Sequence, residues 1–227
     1  YGQMHRRANQ LADSLLKAGA GHGDRIAILS ENDPAFLELF QAAARIGAIV
    51  ATQNWRLSGG ELTHCLDLVE PAVVFVSDRY ADAFSQANNT GYRAIRLGAE
   101  YEAFISAGSK QDHNVPYDPE DGMLIVYTSG TTGLPKGALV SQRALIARAQ
   151  QYCTEFGIDP ADAFYVYSPM FHMASADLAI ATMMIGGKVV ISDGLEPALL
   201  RHLLQEEKLS NLIFFPGMVD KALSELA

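Results

Sequence analysis

Short runs of almost unbroken apolar residues, separated by helical stripes, constrain this chain more than any other feature. The sharpest is Ala72-Val-Val-Phe-Val-Ser77. Successive side chains of a strand point to opposite faces, so a run that is apolar at every position must be covered on both sides. Arg25–Ser30, Ala48–Thr52 and Met123–Tyr127 have the same character. Between them lie helix patterns. Met4, Ala8, Leu11 and Leu15 form a stripe that stops at Gly19, and Phe36, Leu37, Phe40 and Ala44 form another, opened by Asp33-Pro34 and closed by Gly47. Ser58-Gly59-Gly60-Glu61 has the spacing of a capping box and starts a third helix. Weaker helix and strand signals follow near Tyr80–Gln86 and Arg93–Leu97, and Ser106–Gly122 reads as a polar surface connection. A helix capped near Ser141 comes next, then strand candidates at Phe164–Ser168, Lys188–Ser192 and Asn211–Phe215. Strands alternating with helices predict an α/β fold of mostly parallel sheets flanked by helices.

Composition narrows the function. A formal net charge of −9 argues against a nucleic-acid or anionic-membrane surface, which would need clustered Lys and Arg. It leaves open an anionic small molecule, because backbone N–H groups bind phosphate on an acidic protein. The two cysteines, Cys65 and Cys153, sit in no CxxC pair. Cys65 falls in the stripe Leu62, Cys65, Leu66, Val69 and is expected to be a small buried hydrophobe. The six histidines form no HxxxH or Cys/His cluster, so no protein-held metal is expected. No apolar run reaches the ~18 residues of a membrane span, and no signal peptide is visible. The expected setting is the cytoplasm.

The chemistry is concentrated in Tyr127-Thr-Ser-Gly-Thr-Thr-Gly-Leu-Pro-Lys-Gly137. A buried strand delivers it, so its start is fixed in space. Gly130, Gly133 and Gly137 let the backbone approach a ligand and take positive φ. Thr128, Ser129, Thr131 and Thr132 add hydroxyl donors, and Lys136 adds a positive charge. Together they make an anion nest suited to phosphate oxygens. It is not a Walker A loop, because Leu134-Pro135 separate Gly133 from Lys136, and Gly137, not Ser or Thr, follows the lysine.

This segment resembles the phosphate-binding signature of the adenylate-forming superfamily, which includes acyl-CoA synthetases, luciferases and the adenylation domains of peptide synthetases. The likeness extends to Tyr1–Gly19, Gly23–Asn32, Gly47–Thr52, Asn54–Glu61, Ser168-Pro-Met-Phe-His172 and Phe214–Leu223. It implies ATP-dependent activation of a carboxylic acid to an acyl-adenylate, followed by transfer to a thiol, usually coenzyme A, with Mg²⁺ assisting. It implies phosphate contacts from Thr128, Ser129, Gly130, Thr131, Thr132, Gly133 and Lys136. It also places His172 at the border of the carboxylate pocket; the competing expectation is a core histidine at a strand end. Amino-acid-activating members tend to carry Phe-Asp where this chain has Phe171-His172, and Asp177 does not match that motif. A fatty or other organic acid is therefore expected, with an amino acid, a luciferase-like reaction or a non-catalytic nucleotide-binding piece as alternatives. Met173, Ala174, Leu178, Ile180, Met183 and Met184 are expected to be mainly helix core, with an acyl-pocket lining as the other possibility.

By the same resemblance, roughly Gly23–Gly157 forms one α/β subdomain, while Tyr1–Ala20 and Asp162–Ala227 contribute to a second. The chain starts without Met and resembles only the front part of the large N-terminal domain. The family's Tyr-Gly-x-Thr-Glu adenine motif is not found, nor are the ribose-binding Asp segment or the C-terminal adenylating lysine. Alone, these 227 residues are expected to be inactive and prone to self-association through bared apolar surface.

Overall fold

The apolar runs become β1 (Arg25–Leu29), β2 (Ile49–Thr52) and β3 (Val73–Val76), buried at nearly every position. The structure is a computed structural model. It describes the chain apart from Asn89, Asn114, Tyr117, residues 129–132, Lys208 and residues 221–227. With β4 (Ala94–Arg96), β5 (Gly122–Thr128) and β6 (Lys136–Ser141) these strands form a six-stranded sheet in the order β4-β3-β1-β2-β5-β6. All pairs are parallel except the last, in which β6 runs antiparallel to β5.

Helices cover both faces. On one side α1 (Gly2–Lys17) packs on α2 (Ala35–Ile46) and α5 (Ala99–Ser106). Phe75 projects to that side and meets Tyr101 and Phe104 edge-on, with ring centroids 5.6 and 5.8 Å apart. On the other side α3 (Gly59–Val69) and α4 (Ala81–Ala87) bury Leu62, Leu66, Val69 and Phe84 against Ala27, Leu29, Val74 and Val76. Local signals set the helix ends. Asp33 Oδ1 accepts the Ala35 N–H at 2.8 Å, and Gly47 closes α2 at φ +70°. Ser58 and Glu61 form the expected capping box on α3.

The chain divides into two units, Tyr1–Leu145 and Ile146–Ala227. The first unit includes α1, which was expected in the second subdomain, and the division falls after Leu145 rather than between 157 and 162. The cause is the α1 stripe: Ala8, Leu11, Ala12 and Leu15 are fully buried on α2 and α5. Ser14 Oγ also donates to the Phe104 carbonyl at 2.6 Å. Two elements go beyond the sequence expectations, α5 and the antiparallel β6.

In the second unit, β7 (Ala163–Val166) is central to a parallel three-stranded sheet, between β8 (Lys188–Ile191) and β9 (Leu209–Asn211). The last strand is shorter and earlier than the expected Asn211–Phe215. α6 (Gln142–Phe156) begins at the expected Ser141 cap, whose Oγ accepts the Ala144 N–H at 3.3 Å. α7 (Met173–Met184) packs on β7 and β8, while α8 (Pro197–Glu206) buries Leu200 and Leu203 with Tyr165 and Tyr167. No described helix is long and apolar enough to cross a membrane.

One polar network ties the first helical layer together. Arg7 forks onto Glu38 (Nε–Oε1 2.5 Å) and Glu102 (Nη2–Oε1 2.7 Å), and Tyr101 donates to Glu38 at 2.8 Å. Burial, then the Glu38 carboxylate, pushes the Tyr101 phenol well above its ordinary value, so it stays a donor. The Glu38 side chain is only 9% exposed, so removing Arg7 strands a buried carboxylate. Arg7→Met is expected to cost about 3 kcal/mol in urea unfolding, and Arg7→Met/Glu38→Leu to recover most of it. A loss below about 1 kcal/mol, the range of surface pairs, would contradict the buried-network account.

Candidate functional site

β5 carries Tyr127 and Thr128 to the carboxyl edge of the parallel sheet, where open α/β sheets bind ligands. Across the ladder, Thr128 stands opposite Lys136, and both are exposed. Gly133, between them in the chain, has φ +105°, and an added Cβ would meet nothing within 4 Å. Its need for glycine is therefore one of backbone conformation and not of space. Ser129, Gly130, Thr131 and Thr132 lie outside the described residues.

Both limbs of this hairpin are tied to neighbouring elements. Tyr127 Oη donates to the Cys65 carbonyl on α3 at 3.0 Å and accepts from Gln53 Nε2 at 3.0 Å. Gln53, fully buried just after β2, keeps its Oε1 without a hydrogen-bond partner. His64 Nε2 contacts the Pro135 carbonyl at 3.1 Å. A carbonyl only accepts, so Nε2 carries the proton. Burial raises the Tyr127 phenol, so it stays protonated, and pushes the Cys65 thiol up to about 12. Cys65 is therefore the inert buried residue that its stripe predicts. An open groove of about 520 Å³ runs between α3 and β6, lined by His64, Leu68, Ile125, Leu134, Pro135 and Leu139.

His172 lies in the second unit. It is the N-cap of α7 and is exposed, with its ring 4.4 Å from the buried Phe171 ring. It thus precedes a helix and does not lie in the core at a strand end. Asp177, one helical turn on, is 1% exposed and bound to Arg148 through Nε at 2.8 Å and through Nη2. Both contacts fall on Asp177 Oδ2 and come from an Arg148 side chain that is itself 44% exposed; Oδ1 is buried without a hydrogen-bond partner, and the pairing lifts Arg148 above its ordinary value. Leu178 and Ala174 line a cavity of about 350 Å³ with Tyr152, Phe156, Leu212 and Ile213. Met173 and Ile180 are half-buried and Met184 is exposed, so α7 is core along only part of its surface. His64, Gln53 and Arg148 escape sequence reasoning, since each acts through a partner distant in the chain. Among the described residues, no group of three or more His, Cys, Asp or Glu could hold a metal ion.

A model of the AMP-binding enzyme family matches residues 1–227. A feruloyl-CoA synthase of Amycolatopsis is 28% identical over 219 residues, covering 96% of this chain and 44% of that protein. An indoleacetate–CoA ligase of Aromatoleum aromaticum is 30% identical, covering 97% and 45%. Among solved structures, a protein assigned as a long-chain-fatty-acid CoA ligase from Rhodopseudomonas palustris superposes with a TM-score of 0.89 at 29% identity. It covers 97% of this chain and 57% of that one. The chain therefore spans a little under half the length of the curated relatives it matches.

The two ends of α7's first turn are expected to respond differently to substitution. His172→Ala should change the unfolding free energy by less than about 0.5 kcal/mol, as exposed sites do. Arg148→Leu should cost about 3 kcal/mol by stranding Asp177. Urea titration of both variants decides this, and a large loss at His172 would restore the core-histidine account.

Proposed function

This chain belongs to the AMP-binding enzyme family, and on that premise we propose that a protein containing it activates an organic carboxylic acid with ATP and passes the acyl group to coenzyme A. The observation that carries the proposal is the glycine- and hydroxyl-rich hairpin at the carboxyl edge of a parallel sheet. In the first step a carboxylate oxygen attacks the α-phosphorus, and pyrophosphate leaves with the electron pair of the broken P–O bond. In the second, the coenzyme A sulfur, having lost its proton, attacks the acyl carbon and AMP leaves. The loop's task is to hold the triphosphate and stabilise the negative charge that grows on pyrophosphate.

Thr128, Ser129, Gly130, Thr131, Thr132, Gly133 and Lys136 are the proposed phosphate contacts. The exposed Thr128 and Lys136 facing each other support this, as does the left-handed Gly133. Magnesium fits as a companion of the phosphates, since Mg²⁺ usually keeps several waters and binds through phosphate oxygens and one or two carboxylates. When bound it supplies charge neutralisation.

His172, exposed beside Phe171, is the proposed neighbour of the acid's carboxylate, and the cavity beside Ala174 and Leu178 the proposed seat of its apolar part. Asp177 supports an acid without an ammonium group, because the carboxylate is 1% exposed and its Oδ2 is paired with Arg148. Aromatic and aliphatic acids are both candidates, in keeping with the names of the feruloyl and indoleacetate relatives and of the fatty-acid ligase structure. Residues 1–227 alone are expected to give no acid-dependent turnover, because lost positioning can cost ~7–11 kcal/mol of barrier lowering.

ATP–pyrophosphate exchange by a full-length protein containing this chain tests the proposal, with ferulate, indoleacetate and decanoate as acids. Exchange that depends on one of these acids is expected. Gly133→Val should raise the KM for ATP more than Lys136→Ala, because nest shape depends on the backbone while one flexible charge is partly replaceable. His172→Ala should raise the KM for the acid and leave that for ATP unchanged. Exchange with amino acids alone, or none with any acid, would contradict the reading.

A further inference from the structure

We propose that helix α3 is the clamp that shapes the phosphate loop, with His64 and Tyr127 as positioning residues; this rests on the phosphate-binding reading above. The loop leaves the sheet at Thr128 and returns at Lys136, the last pair of the β5–β6 ladder. Next to that pair, Tyr127 on the sheet side of Thr128 and Pro135 on the loop side of Lys136 are each held by one of two consecutive α3 residues. On the outgoing limb, the His64 ring donates to the Pro135 carbonyl at 3.1 Å. On the incoming limb, Tyr127 donates to the Cys65 carbonyl at 3.0 Å. A single helical turn thus sets the separation of the two limbs.

The clamp is itself fixed by features unrelated to any ligand. The capping box ties the α3 start, with Ser58 N–H donating to Glu61 Oε2 at 2.8 Å. Leu62, Cys65, Leu66 and Val69 bury the helix against the sheet. Gly137 stands opposite Tyr127 in the ladder. A Cβ there would lie 3.1 Å from Ile125 Cγ2, a crowded contact within the sheet, and at an ordinary 3.7 Å from Leu68 Cδ2 of α3.

The chemistry of His64 makes the link specific. The contact needs one N–H donor aimed at a carbonyl. The Nε2–H tautomer and the imidazolium both supply it, so the link does not depend on the ring's charge. A glutamine amide can supply the same donor, and leucine fills the space without one.

The test uses a full-length protein containing this chain, the exchange assay, and whichever of ferulate, indoleacetate or decanoate turns over. His64→Leu is expected to raise the KM for ATP ~3- to 10-fold, the effect of one lost hydrogen bond, with the KM for the acid and the Tm unchanged. His64→Gln should restore the ATP value to within about twofold, because the amide donor replaces the ring N–H. Tyr127→Phe should act in the same direction on ATP, with a lower Tm from the stranded Gln53 amide. Gly133→Val in the same assay separates the two layers of the argument. If it impairs ATP use and His64→Leu does not, the clamp is wrong and the phosphate site stands. If neither variant touches ATP use, the phosphate reading falls with it. Equal losses for ATP and acid with a lowered Tm at His64→Leu would reduce His64 to a stability role and overturn the proposal.

Discussion

The Tyr127 hydroxyl is where three elements of the first unit meet. It accepts from Gln53 just after β2, donates to Cys65 on α3, and stands one residue before the end of β5. A buried hydrogen bond adds only ~1 kcal/mol net, but leaving such a group unpaired costs ~1–3 kcal/mol. The phenol therefore cannot drift, and neither can the start of the glycine loop one residue on. The core supplies what this arrangement leans on. β2 and β5 are neighbours in the sheet, and α3 is pressed onto it by its own apolar stripe. The positions of Tyr127 and Thr128 are in this sense a consequence of core burial.

That dependence separates what the two units contribute. The first offers a packed frame with the proposed phosphate loop at its sheet edge. The second offers an exposed His172 at a helix start and an apolar cavity beside the same helix. Its buried Asp177 is paired through Oδ2 with Arg148, a contact that ties α6 to α7. Charged groups in this chain thus divide into those that hold helices together, as Arg7 and Glu38 do, and those left exposed near a candidate ligand, as Lys136 is.

Much of the frame was legible in the sequence for one reason: strands covered on both faces must be apolar throughout. β1, β2, β3 and β5 announce themselves that way, and the Ser58–Glu61 spacing announces α3. β6 was missed because it is an edge strand: Lys136, Gly137, Ala138 and Leu139 are exposed, so burial imposes no pattern on them. α5 was missed because it buries only Tyr101 and Ile105 among acidic neighbours. The grouping of α1 with the first unit was not legible, because amphipathic spacing shows that a helix has an apolar face and not what covers it. At the candidate site, the loop stands out as a string, since an anion nest would need glycines and hydroxyls in sequence. His64, Gln53 and Arg148 were not, because each matters through a partner 29 to 74 positions away.

The central claim is that this loop recognises the polyphosphate of a nucleotide. Equilibrium binding separates that from every downstream step. The affinities of ATP and adenosine would be measured by calorimetry for a full-length protein containing this chain and for its Gly133→Val variant. The account predicts that the variant loses affinity for ATP by about 5- to 30-fold, a backbone penalty of about 1–2 kcal/mol at a left-handed position, while adenosine binding is unchanged. Equal loss for both ligands, or no loss for ATP, would contradict it.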